Sequence, residues 1–304
     1  MISSSGRQAA RLAVMTGVAL TAAYTLLISS ADAITKLFAA SYAAPQLYAL
    51  SGGLVALFSL VANRRDGAWR GMRTVCPKAM AVRVGATVAA TGAFFYAFAW
   101  LPFAEVFLFI AMIPLFAALL SGPVLGEPVR PQVWIALLVG AVGVFCLFPS
   151  GLSSVSWGHG LALLAVLLGT ISMVASRYIG MRDSNILSQV FYPNLALMVV
   201  MAALLPFVFA PISLIDLGWI LLYAMVLFGA RWVLVAALRL LPAYVVTPLM
   251  NLQFLWMVLL GFVFFEEVPG YGVYLGAAIV IGASCWLVWD QARDLTTKRV
   301  VPAE

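Results

Sequence analysis

Apolar residues in this chain gather into runs of about 20, the length of an α-helix that crosses a bilayer. Brief polar clusters separate them. Ten such runs are predicted as helices, over residues 12–38, 43–62, 79–100, 103–125, 132–149, 159–178, 187–209, 217–239, 243–265 and 271–290. The strict apolar–polar alternation of a membrane β-barrel strand is absent. The expected fold is therefore an all-α polytopic membrane protein with short connections and antiparallel neighbours. The first run follows Arg7 and Arg11, as a signal peptide would, but it is too long and continues through Asp32 and Lys36 without a small-residue cleavage motif. It reads as a retained helix.

One stretch recurs. Leu101–Glu127, LPFAEVFLFIAMIPLFAALLSGPVLGE, is echoed 140 residues later by Leu241–Glu267, LPAYVVTPLMNLQFLWMVLLGFVFFEE. Seven positions match without a gap, including the Leu–Pro start, the Leu119–Leu120/Leu259–Leu260 pair and the Glu127/Glu267 exit. Chance in so apolar a chain gives roughly two, so the echo reads as an internal repeat. An offset of five helices is odd, so the second copy enters the membrane in the opposite sense. The expected architecture is ten helices as two inverted five-helix repeats, residues 1–150 and 151–304, a plan that places a substrate site near the bilayer midplane.

Composition and charge sharpen this. Of 304 residues, 64% are hydrophobic and 9% charged, whereas a soluble domain carries about 25% charged residues. With the N-terminus inside, Lys and Arg number 14 on inner segments against 1, Lys36, on outer ones; Arg83 and Arg231 fall within spans. The positive-inside rule then places both termini in the cytoplasm. Cys76, Cys146 and Cys285 are scattered, the single His159 has no metal-ligating companions, and no phosphate-binding loop is present. Metalloenzyme chemistry, ATP hydrolysis and a cofactor are not expected. No ring of charges suggests a channel filter.

Polar groups inside the spans are costly and so mark candidate function. Arg231 lies well within the eighth run, with Leu227 and Tyr223 on its helical face, and is expected to meet an anionic group in a central cavity or to form an internal ion pair. Thr21, Thr25, Ser29, Asp32 and Lys36 follow one face of the first helix. Asp32 and Lys36 form an i,i+4 acid–base pair that neutralises itself or carries a coupling ion. Glu105 opens the fourth helix, where the helix dipole favours an acid. Arg83 reads as snorkelling to the cytoplasmic surface. In the alignment of the two copies, Ala104, Phe107 and Ala111 are the equivalents of Tyr244, Thr247 and Asn251, so the second copy supplies a polar wall and the first an apolar one. Trp256, Gln189, Tyr192 and Tyr96 complete the candidate substrate contacts, with Tyr96 or Phe95 suited to stacking on a flat solute.

Two passages resemble the drug/metabolite transporter superfamily in its ten-helix EamA-type branch. One runs from Leu101–Pro102 through Pro114 to Leu125–Gly126–Glu127 and the Gly140/Gly143 helix. The other runs from Leu241–Pro242 through Thr247–Pro248 to Glu266–Glu267–Val268–Pro269 and the Gly276 helix. The likeness covers nearly the whole chain. Where that pattern often has an Arg five residues after Pro45–Gln46, this chain has Ser51, then Gly52 and Gly53. The resemblance implies a secondary carrier of small organic solutes in the inner membrane, working by alternating access. From Arg231 and the amide and aromatic side chains, the expected solute is an amino acid or related carboxylate; the alternative is a planar vitamin or nucleoside-like metabolite. A channel or a non-transporting scaffold stands behind both. The expected partners are the solute, the bilayer and a proton or other ion, in a monomer or homodimer, with no nucleic acid.

Overall fold

The computed structural model describes residues 4–65, 74–125, 131–146, 155–183, 185–240 and 249–300. Among these every regular element is helical. The helices are α1 Ser4–Ala39, α2 Ala44–Arg65, α3 Pro77–Trp100, α4 Phe103–Ile110, α5 Ile113–Leu125, α6 Pro131–Phe145, α7 Trp157–Gly180, α8 Ile186–Val208, α9 Leu214–Leu240, a 3-10 turn Met250–Leu252 that runs into α10 Gln253–Phe265, and α11 Tyr271–Val300. Six of them contain a segment long and apolar enough to cross a membrane, and four shorter apolar helices accompany them. Leu57, Leu138, Val142, Phe207, Leu255 and Phe262 are exposed large apolar side chains on the outside of the bundle. Water would not tolerate so much of this surface, whereas lipid does. The chain is a multi-pass membrane protein.

Local sequence explains the boundaries. Backbone groups in lipid must be satisfied within the segment, which favours uninterrupted helix. Pro77 and Pro131 stand at helix starts, where a missing N–H costs nothing. The Asn185 side chain caps α8 by accepting from the Ser188 N–H at 3.3 Å. In the loop before it, the Asp183 carboxylate accepts from the N–H of Asn185 at 2.9 Å and of Val75 at 3.1 Å. Those two backbone donors, Asn185 first, hold its carboxyl below the usual carboxylate range and tie the α7–α8 connection to the approach to α3.

The fourth predicted helix proves to be two. α4 stops at Ile110, Met112 N–H turns to Phe109 O at 3.0 Å, and α5 begins at Ile113. Pro114 is the physical reason, since it cannot donate to the carbonyl of Ile110. The last span is longer than predicted, reaching Val300 as α11.

α4 is the centre of the molecule. Phe103, Ala104, Val106, Phe107, Leu108 and Phe109 are all buried, so this helix presents no lipid face. Met257 of α10 and Val273, Ala277 and Val280 of α11 close over it. A second cluster joins Ile34 and Phe38 of α1, Leu47 and Tyr48 of α2, Phe95 of α3, Leu197 and Met201 of α8, and Ile220 and Tyr223 of α9.

The long helices pair off: α3 lies along α7, α1 along α9, α2 along α8, α6 along α11, and α4 against α10. Two of these contacts are backbone-close and require glycine. A Cβ on Gly52 would stand 2.9 Å from the Asn194 carbonyl of α8. Ser51 beside it is buried and gives its hydroxyl proton to the Leu47 carbonyl at 2.7 Å. A Cβ on Gly276 of α11 would collide with the Gly143 carbonyl of α6. Because the obstacle is backbone, Gly276→Ala is expected to lower stability by about 1–3 kcal/mol, read as a fall in the thermal midpoint in detergent. An unchanged midpoint would show that α6 and α11 can part without cost.

Candidate functional site

The polar face of α1 looks into the bundle. The hydroxyls of Thr21, Thr25 and Thr35 donate to carbonyls of their own helix at 2.9, 2.8 and 3.1 Å. Asp32, partly buried, accepts from Gln253 Nε2 of α10 at 3.1 Å. One turn lower, the Trp256 indole N–H donates to Thr25 Oγ1 at 3.1 Å. α1 and α10 are thus joined by two side-chain hydrogen bonds, and α10 belongs to the second copy of the repeated stretch.

An aromatic wall stands opposite. The rings of Tyr48 and Phe95 meet edge-on at 5.7 Å, and those of Tyr48 and Tyr223 lie 6.2 Å apart. Their phenols and the Thr35 hydroxyl lie within interaction range of one another. Tyr24 and Tyr223 feel the charges of both Asp32 and Arg231. Asp32, Gln253, Trp256, Tyr24, Tyr48, Phe95, Tyr223 and Arg231 therefore surround one region between α1, α2, α3, α9 and α10. Arg231 makes no ion pair among the described residues, so the internal acid expected as an alternative partner is not in contact with it.

Several expectations need correction. Asp32 and Lys36 do not neutralise each other. Lys36 Nζ pairs with Glu267 Oε1 at 2.8 Å, donates to the Leu101 carbonyl at 2.7 Å and lies 5.4 Å from the Phe265 ring. Glu267 in turn accepts from Phe103 N–H at 2.7 Å. Glu266 makes this reach geometrically feasible by adopting a left-handed φ of 54° at the end of α10. Glu105 is held by His159 Nε2 at 3.3 Å, and His159 Nδ1 accepts the Ser156 N–H at 3.0 Å in a capping box at the start of α7. His159 is thus a structural bridge. Lys36, Glu105, His159 and Glu267 gather at one end of the bundle, away from the chamber. A cleft of about 140 Å³ there, lined by Glu105, Met257, Gly261 and Glu267, is smaller than a metabolite site, which runs to about 300 Å³ or more.

Tyr96 is 40% exposed on the outside of α3, whereas Phe95 is 1% exposed and faces inward. Of the two, Phe95 belongs to the aromatic wall. Arg83 does not snorkel. Its guanidinium turns inward and donates to the Ser172 carbonyl at 3.1 Å and the Gln189 carbonyl at 3.2 Å. Gln189 belongs to this knot, accepting from Ser176 Oγ at 2.7 Å. Tyr192 packs edge-on against Phe191 with centroids 5.5 Å apart. Asn251 lies beside Cys285 of α11, Nδ2 to Sγ 3.9 Å. Tyr244, Thr247, Pro248 and Glu127 lie outside the described residues.

Tyr48, like Tyr24, is a member of the site that sequence reasoning passed over. Nothing in its apolar surroundings on α2 marks it, and only the packing of α2 between α3 and α9 reveals its role.

No family model matches this chain. It is 26% identical over 242 residues to a curated riboflavin transporter of Rhizobium johnstonii, an alignment covering 79% of this chain and 80% of that protein. A protein of known crystal structure shares the fold, with a TM-score of 0.60 at 17% identity over 94% of this chain and 98% of the other.

Proposed function

We propose that this protein is a secondary carrier of EamA type that takes up a planar, polar heteroaromatic metabolite of the riboflavin kind across the inner membrane. The observation that carries this reading is the cluster of aromatic and polar side chains inside the bundle. The rings of Tyr48, Phe95 and Tyr223, from α2, α3 and α9, meet edge-on or tilted, and the amide–carboxylate pair Gln253–Asp32 bridges α1 and α10 beside them. Rings offer a flat solute large contact area, while the amide and carboxyl supply directional hydrogen bonds to its edge. The likeness to the rhizobial riboflavin transporter points the same way.

The carrier is read as two inverted five-helix halves, 1–150 and 151–304, with both termini in the cytoplasm. The helix pairing supports this. Counting spans, α3 and α7 are the third and sixth, and a five-span shift maps their contact onto that of the eighth and first, α9 and α1. The contacts α2–α8, α4–α10 and α6–α11 each map onto themselves. Such a pseudo-two-fold lets one half rock against the other about a fixed central site.

A second reading rests on Arg231, a guanidinium near the chamber without an acidic partner among the described residues. It suits the carboxylate of an amino acid. Thermal unfolding of the purified protein with riboflavin, nucleosides and amino acids separates the two. A ligand at 100 times its Kd stabilises by about 2.7 kcal/mol, so riboflavin is expected to raise the midpoint and amino acids to leave it unmoved. The reverse pattern would transfer the assignment to amino acids, and a flat response to all would remove both.

A further inference from the structure

We propose that Asp32 and Ser29 of α1 form the binding point of a monovalent coupling cation, a proton or Na⁺; this rests on the carrier reading above. The polar stripe of α1 contains one anomaly. Thr21, Thr25, Ser30 and Thr35 all give their hydroxyl protons to carbonyls of their own helix. Ser29 does not. Its Oγ is fully enclosed and has no hydrogen-bond partner, a rare state for a buried hydroxyl. Ser29 stands one turn before Asp32 on the same helix, three residues apart, which places the two side chains on neighbouring positions of one face.

Asp32 is the second anomaly. Among the described residues its one hydrogen-bond partner is the neutral amide of Gln253. The ammonium one turn further on, Lys36, is occupied by Glu267 and the Leu101 carbonyl. The ionisable groups around Asp32 are Tyr24 on its own helix, Tyr48 on α2, and Tyr223 and Arg231 on α9, and none forms an ion pair with it. On α3, which also touches α1, Arg83 is bound to the Ser172 and Gln189 carbonyls and Tyr96 faces outward. α10 itself carries no acid, and Glu266 and Glu267 follow its far end. A carboxylate with an uncommitted hydroxyl beside it and no compensating cation is an oxygen pair that suits a small cation.

The location gives the cation a task. Asp32 holds the Gln253 amide through its Nε2–H at 3.1 Å. A proton or Na⁺ on the carboxylate removes its charge from the chamber and weakens its claim on Gln253 Nε2, freeing that N–H for a carbonyl on the solute. Cation and solute then favour each other's binding, which is the requirement for coupled uptake.

The test is uptake of labelled riboflavin into proteoliposomes under an inward proton gradient, an inward Na⁺ gradient, or neither, beside riboflavin counterflow without any gradient. One gradient is expected to raise accumulation severalfold in the wild-type protein and to identify the ion. In Asp32→Asn the ratio of accumulation with to without that gradient should fall to about one, whatever its absolute exchange rate. Ser29→Ala, which deletes only a hydroxyl without a partner, should need severalfold more of the ion for half-maximal uptake, and it decides the matter if Asp32→Asn does not reconstitute. Counterflow with accumulation indifferent to both gradients overturns the cation site while leaving the carrier standing. So does an Asp32→Asn protein that keeps the wild-type ratio, or a Ser29→Ala protein with unchanged ion dependence. Absence of counterflow by the wild-type protein sinks the riboflavin reading itself, and the site with it.

Discussion

Replacing Arg231 by leucine is expected to cut solute transport by 10- to 100-fold while leaving the protein as stable as before or more so. The two effects have opposite signs for one reason. An ionised side chain deep in a membrane helix costs about 2.5–3.5 kcal/mol, and no carboxylate among the described residues offsets it. Leucine removes that penalty. If the guanidinium donates to a polar group of the solute, its loss removes a charge-assisted hydrogen bond of about 1.5–3 kcal/mol, which is the 10- to 100-fold range. Lysine keeps the charge but not the planar fork, so Arg231→Lys is expected to fall between. Counterflow rates in proteoliposomes, with the thermal midpoint of the same preparations, read both effects. A coupled loss of stability and transport would instead make Arg231 a structural residue whose partner lies outside the described segments.

The architecture was largely legible from hydropathy because lipid leaves the chain little choice. A run of 20 apolar residues in a bilayer must be helical, so α1, α2, α3, α7, α8 and α9 fall where the pattern puts them. Interruptions were harder. Pro114 lies midway along an apolar run, and its effect is on the backbone, where a hydropathy window does not register it; hence one predicted helix became α4 and α5. At the site, the polar stripe of α1 and the aromatic character of Tyr223 and Phe95 could be read from spacing. Partner choice could not. Sequence places Lys36 four residues from Asp32, yet the ammonium goes to Glu267, 231 residues away, because α10 ends beside the end of α1. Local spacing sets which groups share a face; packing between distant helices decides which of them touch. The same holds for Arg83, whose snorkelling route was free but whose guanidinium found two carbonyls inside.

That non-local ion pair carries the second large effect. Lys36→Ala is expected to destabilise the protein by about 2–3 kcal/mol, below the roughly 3–5 kcal/mol of a fully buried pair, because the two side chains retain 11% and 24% exposure. The alanine leaves the Leu101 carbonyl without its donor and the Glu267 carboxylate with only the Phe103 N–H, close to Glu105. Glu267→Gln should cost less, since its one amide oxygen still accepts from either the Phe103 N–H or the ammonium, which the carboxylate holds on separate oxygens. Lys36→Met with Glu267→Met should recover most of the loss, because two apolar side chains of similar reach leave no uncompensated charge. The double-mutant cycle on thermal unfolding isolates the pair, and a coupling energy near zero would show that Lys36 acts through Leu101 and Phe265 alone. The cycle also bears on mechanism. Lys36 sits at the end of α1, Glu267 at the end of α10, and between them run the Leu101 carbonyl and the Phe103 N–H at the start of α4. Any rocking of the two proposed halves that opens this end of the chamber must separate α1 from α10. A pair that contributes 2–3 kcal/mol to the closed end would bias the closed and open states by 30- to 150-fold at 1.4 kcal/mol per tenfold. Lys36→Met/Glu267→Met, stable but unlatched, is therefore expected to label faster than the wild-type protein at a cysteine placed at Gly261, beneath the pair. Equal labelling rates would mean that the pair stabilises the fold without governing access.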